Sequence, residues 1–290
     1  MGACAAMIHN LSIALQKRFG RQRLRQMILG SIPFLALIAL WEMNTWFVWF
    51  EPVEIPPISD VWDSIFWLQS DCAGVWAALE GQNTCQLTNN IFSSIGRVVL
   101  AMAVGVPLGI GFGALAGMNR TLSAFLEPIG VFMNSVSGIA WIPLAIVWFG
   151  VGWETTLFIM LNTVFWLLFF NSMMGVRAVP RVLEHGVQTL GGSRLDVIKD
   201  VYIPGAMPSI MTGSRMALGF GWRALIAAEM IGGDSGLGFM IFVSAQEFKT
   251  EEVFLGVILI SLIFLATDRW LLVPIEKWTI ERWGLVWKPT

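Results

Sequence analysis

Charge is scarce in this chain. Only 13% of its 290 residues are Asp, Glu, Lys or Arg, against 56% hydrophobic, where a soluble domain carries roughly 25% charged residues. The shortage excludes an ordinary soluble domain and marks a protein that crosses a membrane several times. A basic stripe is lacking beyond the first residues, which argues against a nucleic-acid partner. Metal ligands are few: Cys4, Cys72 and Cys85 form no CxxC, and the two histidines, His9 and His185, stand far apart. Also missing is G-x-x-x-x-G-K-[ST], the loop that cradles nucleotide phosphates. Any ATP-driven step therefore needs a second polypeptide.

Basic residues are absent between Arg25 and Arg97, a gap filled by Glu51, Glu54, Asp60, Asp63, Asp71 and Glu80. A span takes about 20 mostly apolar residues. Six segments qualify, at 27–48, 91–117, 124–149, 153–176, 206–232 and 252–274. Lys17, Arg18, Arg21, Arg23 and Arg25 precede the first of them, which makes residues 1–26 a basic cytoplasmic arm by the positive-inside rule. Such an arm before an apolar run resembles a signal peptide, but the run from Met27 to Phe50 is long enough to span and has no small-residue cleavage site, so it reads as a retained helix. The same rule puts Arg120, Arg177, Arg181, Arg194 and Lys199 inside, Gly150-Val151-Gly152 and 233–251 outside, and the tail with Lys277, Arg282 and Lys288 inside. The expected fold is all-α, a polytopic membrane protein with six transmembrane helices in residues 27–290 and both termini cytoplasmic.

The external segment 50–90 holds "IPPISDVWDSIFWLQ", where Val61, Ile65, Phe66 and Leu68 recur at near-helical spacing, as in an amphipathic helix lying at the interface. Cys72 and Cys85 fall in the same segment, as a disulfide or as two free thiols. In the second span Gly105, Gly109, Gly113 and Gly117 stand four apart on one helix face. Close packing of another backbone is the favoured reading of that stripe, a mobile helix the competing one.

Residues 180–205 form a polar insert between apolar runs. Pro180 suits a helix start, Gly191 and Gly192 a helix end, and Ser193 with Asp196 has capping-box spacing for a second helix that stops near Pro204. On it Leu195, Ile198, Val201 and Tyr202 share a face, while Arg194, Lys199 and Asp200 point elsewhere. Three uses stand open: lying on lipid, packing under its own bundle, or docking into a groove of a partner. Mixed charge argues against the first, since lipid-surface helices favour Lys and Arg on the polar face.

"QTLGGSRLDVIKDVYIPGAMPSI" resembles the cytoplasmic loop of ABC importer permeases, in which a Glu-Ala-Ala triplet precedes a Gly by four positions and an Ile-x-Leu-Pro end follows. Gly191 takes the Gly position, Val201 and Ile203 the aliphatic ones and Pro204 the Pro, while His185-Gly186-Val187 replaces the triplet and Glu184 stands one place early. "IPPISDVW", "RVVLAMAVGVPLGIGFGALAG", "GIAWIPLAIVWFGVG" and "GWRALIAAEMIGGDSGLGFMI" extend the likeness over about residues 55–275, and are similar to the nitrate, sulfonate, taurine and bicarbonate branch. The resemblance implies a type I importer permease fold with the insert as a coupling helix. It also implies an ATPase-docking set of Glu184, Gly191, Ser193, Leu195, Ile198, Val201, Tyr202 and Pro204, on two ABC ATPase subunits that bind the ATP. A second permease copy, as a homodimer, and a periplasmic or lipid-anchored binding protein complete the implied assembly in a bacterial inner membrane. The chain itself is expected to hold no cofactor and to catalyse no reaction.

Charge at membrane depth is costly and points to function. Arg97 and Arg269 lie near span ends, where they can snorkel as structural groups, Arg269 with Asp268 beside it. Arg223 is deeper, with Trp222 next to it: it attracts an anion in the pathway, or it forms an internal salt bridge to Glu229 or Asp268. Pro143 interrupts the third span after the polar Asn134, Ser135 and Ser137, as a pathway feature or as a packed kink. Trp141 and Trp148 are pathway walls or interfacial anchors. The expected substrate path is Arg223, Trp222, Asn134, Ser137, Trp141 and Pro143. The rival is an ion-coupled secondary transporter, which needs mid-span acids, whereas Glu127, Glu229 and Asp268 lie toward span ends.

Overall fold

A computed structural model describes residues 29, 31–33, 35–44, 51, 53–70 and 86–276. The basic arm, Cys4, His9, Cys72, Cys85 and the tail from Lys277 lie outside the described residues. Two units divide between Asp63 and Ser64.

In the first unit α1 (Ser31–Asn44) is a short apolar helix. The Trp41 indole N–H donates to the Pro56 carbonyl at 2.8 Å, which ties α1 to the turn that follows it. α2 (Ile58–Ser70) begins after the Pro56-Pro57 pair and runs into the second unit. This is the helix expected in the 50–90 segment, but its apolar residues do not share one face: Leu68 is buried and Phe66 is exposed.

The second unit continues through α3 (Gln86–Met118), α4 (Arg120–Ser135), α5 (Ile142–Phe149), α6 (Trp153–Arg177), α7 (Arg181–Thr189), α8 (Arg194–Val197), α9 (Ile203–Gly232), α10 (Leu237–Gln246) and α11 (Thr250–Thr267). At its centre stands α6, whose Ile159, Met160, Val164, Leu168 and Phe169 are fully buried. α3 and α9 pack along either side of it. On α3 the buried positions Asn90, Ser94, Arg97, Ala101, Gly105, Gly109 and Gly113 recur every three or four residues, so one continuous stripe faces inward, its glycines against α6 and its polar residues against α9 and the start of α10.

The glycines explain how close α3 and α6 come. A Cβ at Gly105 would lie 2.8 Å from Val164, and one at Gly109 would lie 2.8 Å from the Phe165 carbonyl oxygen. One at Gly113 would strike the Phe169 carbonyl. The glycine stripe is a close-packing seam, as small residues in membrane helices commonly are.

Among the described residues, three helices are long and apolar enough to cross a membrane: Gln86–Met118, Trp153–Arg177 and Thr250–Glu276. Two further runs are bent pairs, Arg120–Ser135 with Gly138–Phe149 at 92° and Arg194–Gly232 with Leu237–Gln246 at 48°. The run expected as one span at 124–149 is thus broken sharply. The 233–251 segment, expected as a loop, contains α10, because "LGFMIFVSAQ" is apolar enough to pack while far too short to register as a span.

Candidate functional site

α4 ends at Ser135 because the next residue leaves the helical region, Val136 adopting φ −88° and ψ 121°. A 3-10 turn, Gly138–Trp141, then carries the chain into α5. Pro143 sits in the first turn of α5, where a missing N–H removes no helical bond. The interruption expected at Pro143 therefore falls six or seven residues earlier, at Val136 and Ser137.

Between this break, α6 and α9 lies a cavity of about 550 Å³. Its polar lining is Asn134, Ser137, Asn162, Thr163, Asn171 and Arg223, and the rings of Trp166, Phe170 and Phe220 supply much of the rest, with Met133 and Met216. The Trp166 indole N–H donates to Asn162 Oδ1 at 3.1 Å, and Asn171 Nδ2 donates to the Leu167 carbonyl at 2.8 Å, so parts of the wall are fixed by bonds within α6. Arg223, Asn134 and Ser137 of the expected path meet here. Trp222 does not: it is 4% exposed and packs inward. Trp141 joins the core cluster of Ile142, Ala145, Ile159, Ala224 and Ala228, and Pro143 lies off the lining. The buried indole N–H groups of Trp141 and Trp222 have no hydrogen-bond partner among the described residues.

The charges near the cavity are distributed unequally. Glu229 is held by Arg97 at 2.8 Å, and Asp268 by Arg215 at 3.2 Å, while Arg215 also takes Glu276 at 2.7 Å. Both acids that the sequence offered to Arg223 are thus engaged by other arginines. Arg223 forms no ion pair among the described residues, and its guanidinium stands 5.5 Å from the centre of the Phe220 ring. Arg269, expected beside Asp268, is exposed while Asp268 serves Arg215.

The insert is a second candidate surface. α7 ends at Thr189, and Gly191 turns the chain with φ +85°, a left-handed conformation open to glycine at little cost. Ser193 caps α8: its backbone N–H donates to Asp196 Oδ2 at 2.7 Å, and the Asp196 N–H donates to Ser193 Oγ at 3.4 Å. The helix does not stop at Pro204. Ile198–Tyr202 widen into a π turn in which the Ile203 N–H bonds to the Ile198 carbonyl, and α9 follows without interruption. A proline has no N–H and its ring crowds the carbonyl one turn back; the wider turn accommodates both. One continuous helix, Arg194–Gly232, replaces the expected stop.

The face expected to carry Leu195, Ile198, Val201 and Tyr202 divides in two. Val201 and Val197 are buried against Val179, with Val187 and Tyr202 beside them, and the Tyr202 hydroxyl donates to Glu184 Oε2 at 2.9 Å. These residues hold the insert together. Leu195 is 75% exposed and Leu190 is 90% exposed, so the outward apolar surface lies at the turn and on the first residues of α8.

Residues 105–273 match the family model of the binding-protein-dependent transport system inner membrane component. The chain belongs to that family. It is a permease component of an ABC importer, and membership implies an ATPase and a substrate-binding protein as partners. This permease is 29% identical over 260 residues to the taurine transport system permease protein of Escherichia coli strain K12, covering 87% of this chain and 92% of the relative. It is 33% identical over 194 residues to the bicarbonate transport system permease protein of Synechococcus elongatus, covering 67% and 68%. Over 243 residues it is 28% identical to the nitrate import permease protein of Leptolyngbya laminosa, with 83% of each covered.

The permease also contains a buried ionic cluster that the sequence reading missed. Arg97, expected to snorkel from a span end, has no exposed surface. Its Nη1 donates to Glu229 Oε1 and to the Ser235 carbonyl, each at 2.8 Å, and its Nη2 reaches Asp234 Oδ1 at 3.3 Å and Ser235 Oγ at 3.0 Å. Ser94 Oγ stands 2.8 Å from the same carboxylate. The N–H groups of Gly236, Leu237 and Gly238, at the start of α10, donate to Asn90 Oδ1, Ser94 Oγ and Glu229 Oε2. A helix leaves its first N–H groups without helical partners, and here α3 and a carboxylate supply them, with the charge sign the helix dipole favours. Gly236 holds φ +113°, and a Cβ there would strike the Glu229 carboxylate. The signal was present as Asn90, Ser94 and Arg97 at helical spacing, yet the acid that answers them stands 132 residues away from Arg97.

Proposed function

We propose that this permease forms the translocation path for a small anion delivered by an external binding protein, with the cavity at the α4–α5 break as part of that path. The observation that carries the reading is Arg223, a cation on the wall of a cavity between apolar helices, with Glu229 and Asp268 engaged by other arginines. A cation placed there without a counter-ion leaves its charge for a ligand. Support comes from relatives named for taurine, bicarbonate, nitrate and aliphatic sulfonates, and the substrate proposed here is an anion of that kind.

In this reading the chain is multi-pass in a bacterial inner membrane, with six spans, a cytoplasmic arm 1–26, a transmembrane domain 27–290, an external interfacial segment 50–90 and a cytoplasmic coupling loop 180–205. Two copies of the permease pair as a homodimer on two ATPase subunits. ATP is bound and hydrolysed there, and this chain holds no cofactor and performs no catalysis. The exposed Leu190 and Leu195 enter the ATPase cleft, Ile198 completes their edge, and Gly191, Ser193, Glu184, Val201, Tyr202 and Pro204 give the insert its shape.

The test is Arg223→Ala in the assembled transporter, read by uptake in vesicles and by substrate-stimulated ATP hydrolysis. Both fall by at least about tenfold, the loss of one charge-assisted contact. Unchanged uptake in a folded complex removes Arg223 from the path.

A further inference from the structure

We infer that the cavity selects an organic monoanion with an uncharged apolar body of several carbons, over a bare oxoanion or a zwitterion. The inference rests on the anion-path reading above and narrows it. Three observations carry it.

The first is size and lining together. A cavity of about 550 Å³ holds much more than a four-atom oxoanion. An ion that small would engage Arg223 and leave the rings of Trp166, Phe170 and Phe220 facing water. An apolar body attached to the anionic head covers those rings, and each methylene taken from water strengthens binding about fourfold.

The second is the fixed position of that wall. Trp166 is locked by its bond to Asn162, and α4 comes so close at Gly130 that a Cβ there would lie 2.9 Å from Phe170 and 3.0 Å from Trp166. A wall already in place costs little to order on binding. Met133 and Met216, with flexible thioether side chains, adapt the remaining contour.

The third is the absence of a counter-charge for an ammonium. No Asp or Glu lines the cavity among the described residues. In a short zwitterion such as an aminosulfonate the ammonium sits two carbons from the anionic head, so a head bound at Arg223 brings the ammonium toward the same guanidinium. Of the three rings, Phe220 already faces Arg223, while Trp166 packs edge-on with Phe165 and Phe169, and Phe170 with Phe169.

The experiment measures binding of hexanesulfonate, butanesulfonate, taurine, nitrate and bicarbonate to the full-length permease in nanodiscs of zwitterionic lipid, by titration calorimetry. Hexanesulfonate binds at least about tenfold more tightly than taurine, nitrate or bicarbonate, and about sixteenfold more tightly than butanesulfonate, two methylenes shorter. Phe220→Ala flattens the dependence on chain length. Arg223→Gln abolishes saturable binding of every anion, and Arg223→Lys retains it, which separates this site from partition into lipid. If nitrate, bicarbonate or taurine matches hexanesulfonate and still requires Arg223, or if chain length has no effect, the inference fails while the anion path stands. If no anion depends on Arg223, both fail.

Discussion

Arg97 and Arg223 are the same residue type in the same unit, and their surroundings assign them opposite work. Around Arg97 every direction is protein: Glu229, Asp234, the Ser235 carbonyl and hydroxyl, and the Trp153 ring 4.9 Å from its guanidinium carbon. Removing one partner of a buried pair strands the other, which costs about 3–5 kcal/mol. Arg97→Met therefore destabilises the purified permease by that amount in a detergent or nanodisc melt, and Arg97→Met combined with Glu229→Met recovers part of the loss. Arg223→Ala removes an exposed cation with no ion-pair partner among the described residues, so the same melt moves by no more than about 0.5 kcal/mol while uptake falls. A result in which both single variants melt alike would contradict this division.

Among the elements, the α3–α6 seam gives the cleanest contrast. Gly113 has the Phe169 carbonyl against it, whereas Gly111, two residues away on the same helix, has nothing within 4 Å of where a Cβ would stand. Gly113→Ala overpacks the seam and costs about 1–3 kcal/mol. Gly111→Ala gains up to about 1 kcal/mol from helix propensity alone. Equal shifts in the thermal melt would mean that the seam is looser than this spacing requires.

This seam was legible in the sequence because four glycines at spacing four can face one neighbour and need no information from elsewhere. So was the insert's capping box, which is decided within four residues. The 92° break was not: a hydropathy window averages over 124–149 and carries no direction, and Val136 and Ser137, where the backbone turns, lack the helix-breaking chemistry that Pro143 has. Passage through Pro204 was hidden for a related reason, since a π turn is a change of bonding partner that leaves the residue pattern of a stop intact. The partner choices of the arginines were hidden most deeply. In sequence Glu229 and Asp268 were candidates for Arg223, and only the packing of α3 and of residues 268–272 against α9 gives Glu229 to Arg97 and Asp268 to Arg215.

For the whole molecule, the proposed ATPase seat and the proposed path have to communicate. Leu195→Asp or Leu190→Asp places a charge on the exposed apolar surface of the insert, where nothing inside this chain depends on it. The expected outcome is a normally inserted permease whose transport is lost while ATP hydrolysis by its partner no longer responds to substrate. Vesicle uptake and phosphate release measured on one preparation check this. Retained substrate-stimulated hydrolysis in both variants would exclude this surface as the seat.

Arg194–Gly232 is one helix through its π turn, roughly 58 Å long at 1.5 Å per residue. Leu195 stands at one end, Glu229 near the other and Arg223 between them. In the proposed assembly, a displacement of the end bearing Leu195 travels along one hydrogen-bonded backbone to the cation at the cavity and to the carboxylate at the start of α10. On the way it crosses the π turn and passes Pro204 and Pro208, the places where a helix yields. How much of a push at the insert arrives at Arg223 is therefore set by the bending of those two short stretches.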